Sequence, residues 1–232
     1  MSDRPTQELA AERPRLSASL AVPSRQRTYD QALQLGFDAL CSRPPSPENI
    51  VFLGAAMTAG AIHLPALNQC LCIDLDRRSV LVDESVPARS AWAVLAVHYL
   101  RAGEFVPDPR EVSFGYFQDC RSYLSVFGKR ITARFLATSG RTAGEFARRA
   151  GQLAATRLPG AGAGFRFDVL PRVPISIVRY EGDDEVPAGA SVVYRADAEQ
   201  LLPAEDRVVA AELLLDVLSG KPMTEQESEG HA

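Results

Sequence analysis

The sequence predicts an α+β fold, with helices around a small, mostly antiparallel sheet in a single domain. Apolar residues recur at helical spacing through several long segments. Short runs rich in Val, Ile and Phe return on themselves across polar turns. Helices and strands also come in blocks and not in strict βα alternation, which favours α+β over a doubly wound α/β sheet.

Residues 1–27 contain Pro5, Pro14 and Pro23 with only isolated Leu and Val, and read as a disordered N-terminal tail. A helix is expected over Arg25 to Cys41, where Tyr29, Leu33, Phe37 and Leu40 recur. The run Ser42-Arg43-Pro44-Pro45-Ser46-Pro47 ends it, and Pro47 suits the first turn of a second helix reaching about Thr58. Residues 69–83 read as a hairpin about the turn Asp76-Arg77-Arg78. Pro87 to Arg101 is apolar on nearly every face, which marks a central, buried helix. A short strand at Val112-Ser113-Phe114 and helices over Arg121 to Thr138 and Thr142 to Thr156 follow. Beyond the glycine-rich 159–164 come strands at Phe165–Leu170, Pro174–Tyr180 and Ser191–Arg195, then a helix from about Pro203 to Ser219 with Glu205 and Asp206 at its positive end. The domain is thus expected over 28–219, with 220–232 a disordered acidic tail.

The chain of 232 residues is long enough to bury a core without metal or disulfide support. Its 29 acidic and 25 basic residues leave a formal net charge of −4, which argues against a general nucleic-acid binder. No apolar run approaches the roughly 18 residues of a membrane-spanning helix. No secretory signal is visible either, so a cytoplasmic setting is expected.

Four cysteines occur, at 41, 70, 72 and 120, without zinc-finger spacing. Strand alternation puts Cys70 and Cys72 on one face. Two neighbouring thiols could begin a metal or redox site, completed by Cys41, Cys120 or His63. The plainer reading, small buried hydrophobes in a half-buried strand, is preferred, and no metal site is assigned. His63, just before Leu64-Pro65, reads as a loop residue.

Charge is segregated. Between Arg121 and Arg157 eight basic residues face the single Glu145, and between Glu181 and Asp206 eight acidic residues face the single Arg195. Arg130 and Arg134 fall on one helix face, where like charges repel unless an anion is near. That anion could be the protein's own acidic segment, a partner, or a carboxylate- or phosphate-bearing ligand held by Arg forks. Asp183, Asp184 and Glu185, in a glycine-containing turn after an apolar strand, could ligate Mg²⁺ or Ca²⁺ or supply an acid/base pair. His98, inside the most apolar helix, reads as a hydrogen-bonded core residue unless it faces a cavity. The glycine run at 160–164 lacks the Lys-Ser/Thr of a P-loop, and no hydrolase elbow, zincin or kinase motif is present. The sequence discloses no reaction and names no cofactor.

The ordered set His98-Tyr99-Leu100, Val112-Ser113-Phe114, Tyr123 with Phe127 and Arg130, Pro171-Arg172-Val173-Pro174-Ile175, Glu181-Gly182-Asp183-Asp184-Glu185-Val186-Pro187-Ala188 and Leu202-Pro203-Ala204-Glu205-Asp206 resembles the DUF3786 family, from about Thr28 to Leu218. That family is of unknown function and occurs mostly in bacteria and archaea with anaerobic metabolism. Some relatives resemble Fe–S or corrinoid-associated proteins, and some carry an added cysteine-rich segment. This chain has no such segment, and it reads Tyr194-Arg195-Ala196-Asp197 where relatives tend to have Phe-Asp-x-Ser. The resemblance implies that His98, Tyr123, Arg130 and the Asp183-Asp184-Glu185 turn share one site.

The expectation is therefore a protein that binds a small anionic ligand or cofactor, or that serves as accessory to a redox or cofactor-dependent partner enzyme. Arg130 and Arg134 would neutralise the ligand, His98 and Tyr123 would give directional contacts, and the acidic turn would gate the pocket. The alternatives are a metal-assisted enzyme using Asp183, Asp184 and Glu185, and an interaction module without a pocket.

Overall fold

A run of apolar side chains on every face must be enclosed on every side, and in the computed structural model residues 92–97, Tyr99 and Leu100 of the Pro87–Arg101 run are. Residues 25–160 and 162–225 are described; of the expected tails at 1–27 and 220–232, residues 1–24 and 226–232 lie outside them. Of α1 (Arg25–Ser42), α2 (Pro47–Phe52) and α3 (Ser90–Tyr99), the last is the central one. Its Trp92, Leu95, Ala96, Val97 and Tyr99 are wholly enclosed, each large one contributing about 1.5–3 kcal/mol of apolar burial. The Tyr99 hydroxyl donates to Leu53 O at 2.6 Å, so its polar end is satisfied inside the core. Helix α1 packs along α3, and Gly36 makes the approach possible: a Cβ there would stand 2.9 Å from Val97 Cγ1.

Two five-stranded antiparallel sheets form, where one small sheet was expected. The first comprises β1 (Ala56–Thr58), β2 (Ala61–Ala66), β3 (Gln69–Asp74), β4 (Ser79–Val82) and β5 (Val86–Pro87), paired in chain order. The predicted second helix stops at Phe52. Gly54, at φ +77°, turns the chain so close to Pro171 that a Cβ would lie 2.5 Å from the proline ring, and β1 occupies the rest. His63 therefore belongs to a strand and not to a loop, directly opposite Cys72.

The second sheet comprises β6 (Glu111–Ser113), β7 (Thr156–Arg157), β8 (Ala163–Leu170), β9 (Val173–Tyr180) and β10 (Gly189–Arg195), in the order β6-β10-β9-β8-β7. Ile62, Leu64, Leu71 and Ile73 of the first sheet and Phe165, Phe167, Ile175 and Ile177 of the second belong to one continuous apolar core.

The helix expected over Arg121–Thr138 is composite. A 3₁₀ turn, Gln118–Tyr123, leads into α4 (Leu124–Phe127), a π-helical segment Gly128–Ala133, and α5 (Arg134–Ala137). Phe127, Ile131 and Phe135 are all buried at strict four-residue spacing. A turn wider than 3.6 residues keeps three such positions on one side, which the π segment supplies. α6 (Ala143–Gln152), capped by Thr142 Oγ1 accepting from Glu145 N at 3.1 Å, packs on β8. The short α7 (Ala198–Leu201) precedes α8 (Ala204–Leu218), which lies against α3 and the composite helix.

Residues 220–225, expected to begin a tail, instead return along the molecule. Thr224 bridges Ala88, Arg89 N donates to Met223 O at 2.8 Å, and Met223 is buried. Among the described residues no helix is long and apolar enough to cross a membrane.

Candidate functional site

Helix α8 presents Glu212 and Asp216 one turn apart, and the composite helix presents Arg130 and Arg134 at the same spacing. The two pairs meet rung by rung. Arg130 Nε and Nη2 donate to the two oxygens of Glu212 at 2.5 and 2.6 Å, a bidentate fork. Arg134 donates to Asp216 Oδ1. Asp216 also accepts from Arg89 Nη2 at 2.7 Å and from Lys221 Nζ at 3.3 Å. Arg89 sits just before α3, and Lys221 is carried in by the returning 220–225 segment. Burial by itself would raise the Asp216 carboxyl, but the hydrogen bonds from Arg134 and Arg89 outweigh it and hold the group below the usual carboxylate range.

These groups line a cleft of about 1000 Å³ whose wall also includes Tyr29, Ser90 and Glu225. Ser90 Oγ donates toward Asp30 at 3.2 Å and Glu225 at 3.3 Å. The cleft thus has a cationic stretch about Asp216 and an acidic one about Glu225.

The structure does not bring the seven expected site residues together. Arg134 lines the cleft, and Arg130 stands beside it on Glu212. His98 Nδ1 pairs with Asp206 Oδ2 at 2.7 Å in the first turn of α8, ten residues or about 15 Å along the helix from Asp216. There it ties α3 to α8, a hydrogen-bonded histidine in a packed interface. Tyr123, half-buried at the end of the 3₁₀ turn, packs on the core and does not line the cleft.

Asp183, Asp184 and Glu185 sit exposed in the turn between β9 and β10, away from the cleft lining. Asp183 Oδ1 accepts from Glu185 N at 3.0 Å and Val186 N at 2.7 Å, and those bonds hold its carboxyl below its ordinary value. That carboxylate braces its own turn. The alternative in which these three serve a metal-assisted enzyme gains no support from the geometry: among the described residues the one group of three His, Cys, Asp or Glu able to converge on an ion is His63, Cys70 and Cys72.

Nor do the basic and acidic segments pair with each other among the described residues. Arg149 bonds Glu145, Glu181 bonds Arg179, and Asp197 bonds Arg195. The residues that do complete the cleft, Glu212 and Asp216, lie beyond the acidic run, and Arg89 and Lys221 lie outside the basic one. One signal for the first pair was present: two carboxylates four apart on a helix, matching two arginines four apart on another.

The remaining thiols differ in setting. Cys120 is fully enclosed, and burial pushes its thiol up. Cys41 Sγ lies 3.6 Å from Leu75 O. Burial, then the neighbouring Cys72 and the acidic Asp83 and Glu84, push the Cys70 thiol up to about 11.

Fold and cleft together define an α+β protein with a mixed-charge cleft between its central and C-terminal helices. The chain belongs to the DUF3786 family: the family model, described as a domain of unknown function, matches residues 47–216. No curated protein and no solved structure matches the chain.

Proposed function

We propose that the cleft binds a small anionic ligand. One observation carries the reading: three cations, Arg89, Arg134 and Lys221, converge on the single carboxylate of Asp216. About Asp216 the cations outnumber the carboxylate, with Glu212 held by Arg130 and Glu225 also on the wall, and a ligand carboxylate or phosphate suits that local excess, with Arg forks pre-positioned by Asp216. A volume near 1000 Å³ accommodates a metabolite-sized molecule. The presence of a cleft weighs against an interaction module without a pocket. A cytoplasmic setting is supported by the four unpaired cysteines, which suit a reducing compartment.

The test is a thermal-shift and calorimetric screen with small carboxylates, amino acids and phosphates, beside native mass spectrometry of the untreated protein. Acids are expected to raise the melting temperature in the wild type and to lose most of that effect in Arg89→Gln. A panel in which no acid binds, or in which Arg89→Gln binds equally well, would sink the reading.

A further inference from the structure

On the first sheet the face turned away from the core carries an unusual set of side chains. Ile62, Leu64, Leu71 and Ile73 point into the core and are fully enclosed, so strand alternation sends His63, Cys70 and Cys72 to the other side. His63 and Cys72 are directly opposed across β2 and β3, and Cys70 lies two residues along the same strand. Cys72 Sγ stands 3.6 Å from His63 Nδ1, Cys70 Sγ 4.0 Å from it, and the two sulfurs are 3.9 Å apart.

Those lengths have a meaning. A tetrahedral zinc ion with Zn–S of about 2.3 Å and Zn–N of about 2.0 Å requires edges of about 3.8 Å between sulfurs and about 3.5 Å between sulfur and nitrogen. The trio already forms one face of such a tetrahedron, each edge within about half an ångström of the ideal. Glu84 Oε1 lies 3.6 Å from His63 Nδ1, on an exposed side chain able to swing toward the trio. Asp83 and Glu84 are both held at positive φ, 49° and 59°, in the turn that leads into β5. Asp83 also anchors that turn to the thiol strand, its Oδ1 accepting from Cys70 N at 2.9 Å and its N–H donating to Cys70 O at 2.8 Å. Among the described residues no arginine or lysine pairs with Asp83 or Glu84, so the patch holds two carboxylates and two ionisable thiols without a cationic side chain.

We propose that His63, Cys70 and Cys72 bind one zinc-class divalent cation, with the Glu84 carboxylate as the fourth, exchangeable ligand. The donor set, one imidazole, two thiolates and an oxygen, suits a borderline-soft ion and disfavours Mg²⁺ or Ca²⁺, which take oxygen ligands. Binding displaces the two thiol protons to solvent and leaves the ion with the charge of two thiolates and a carboxylate around it. The site is independent of the charged cleft.

The test uses the full chain, treated with chelator under reducing conditions and titrated with Co²⁺ alone. One equivalent is expected to give thiolate-to-cobalt charge-transfer absorbance with tetrahedral ligand-field bands, lost again on adding one equivalent of Zn²⁺. Cys70→Ser and Cys72→Ser should each abolish the charge-transfer band or weaken Co²⁺ binding by a hundredfold or more. Glu84→Gln, on an exposed turn where folding is not at stake, should weaken it about tenfold. Cys41→Ser should leave the titration unchanged. A wild-type spectrum without charge transfer, an octahedral spectrum, or equal binding by Glu84→Gln and the wild type would overturn the assignment, the last for its fourth ligand.

Discussion

The guanidinium of Arg207 lies 4.3 Å from the centre of the Phe117 ring, and its side chain is wholly enclosed. Its Nη1 donates to Leu202 O at 2.6 Å, and its Nη2 reaches the Asp119 carboxylate and, at 3.1 Å, Cys120 Sγ. A charge so placed is costly unless stacked and hydrogen-bonded, and this one is both. Arg207→Ala should therefore lower stability by about 3 kcal/mol in urea unfolding. Asp119→Asn, whose carboxylate is half exposed, should cost under about 1 kcal/mol. Equal losses from the two would show that the ion pair, and not the stacking and carbonyl contact, holds the arginine in place.

Asp216 sets a pH dependence. Its folded-state pKa is depressed, so the stability it contributes is fully present above the ordinary carboxylate range and is lost as the pH falls through the lower folded value. Asp216→Asn should be less stable than the wild type at neutral pH by about 2 kcal/mol, with the gap closing in acid. Melting temperatures measured from neutral to strongly acid pH decide it; a constant gap would contradict the assignment.

Gly54 couples two distant turns. Its φ of +77° and the 2.5 Å separation of a Cβ from Pro171 leave no room for a methyl group. Gly54→Ala should destabilise by about 2 kcal/mol or more. The neighbouring contact of Arg172 over Phe52, at 4.1 Å from the ring centre, should loosen with it, visible as shifted aromatic resonances.

The acidic turn should be nearly silent. Asp184→Asn and Glu185→Gln are expected within about 0.5 kcal/mol of the wild type, with calorimetry showing no difference in Mg²⁺ or Ca²⁺ uptake. Asp183→Ala removes two backbone contacts and should loosen the turn, seen as faster amide exchange at Glu185 and Val186.

Legibility in the sequence followed the physics of each segment. The enclosed helix α3, the β3–β4 hairpin and the strands of the second sheet read directly from apolar spacing. Strand β2 did not, because Pro65 interrupts it. The proline is tolerated since Cys70 opposite turns its own N–H and C=O toward Asp83, so no ladder bond is asked of Pro65, and β1 ends before it. With Pro65 signalling a loop, no local pattern sets His63 across from Cys72. The cleft was half legible: Arg130 and Arg134 stood out as like charges on one face, whereas their partners Glu212 and Asp216 were hidden inside an apolar helix. Arg89 and Lys221 reach Asp216 only through tertiary packing, from positions that no local pattern marks.

The order of the strands has a consequence for how the chain folds. In the first sheet every strand pairs with its neighbour in sequence, so each closure spans only a short turn. In the second, β6 pairs with β10 across about 80 residues, an entropic cost of roughly 4 kcal/mol before any contact is gained. The meander is thus expected to be protected early in pulsed hydrogen exchange, with the β6–β10 edge late. The cleft, assembled from residues as far apart as Arg89 and Glu225, would be completed last, and a chain stalled before that step would hold its thiol–imidazole face without yet having brought Arg89, Arg134 and Lys221 onto Asp216.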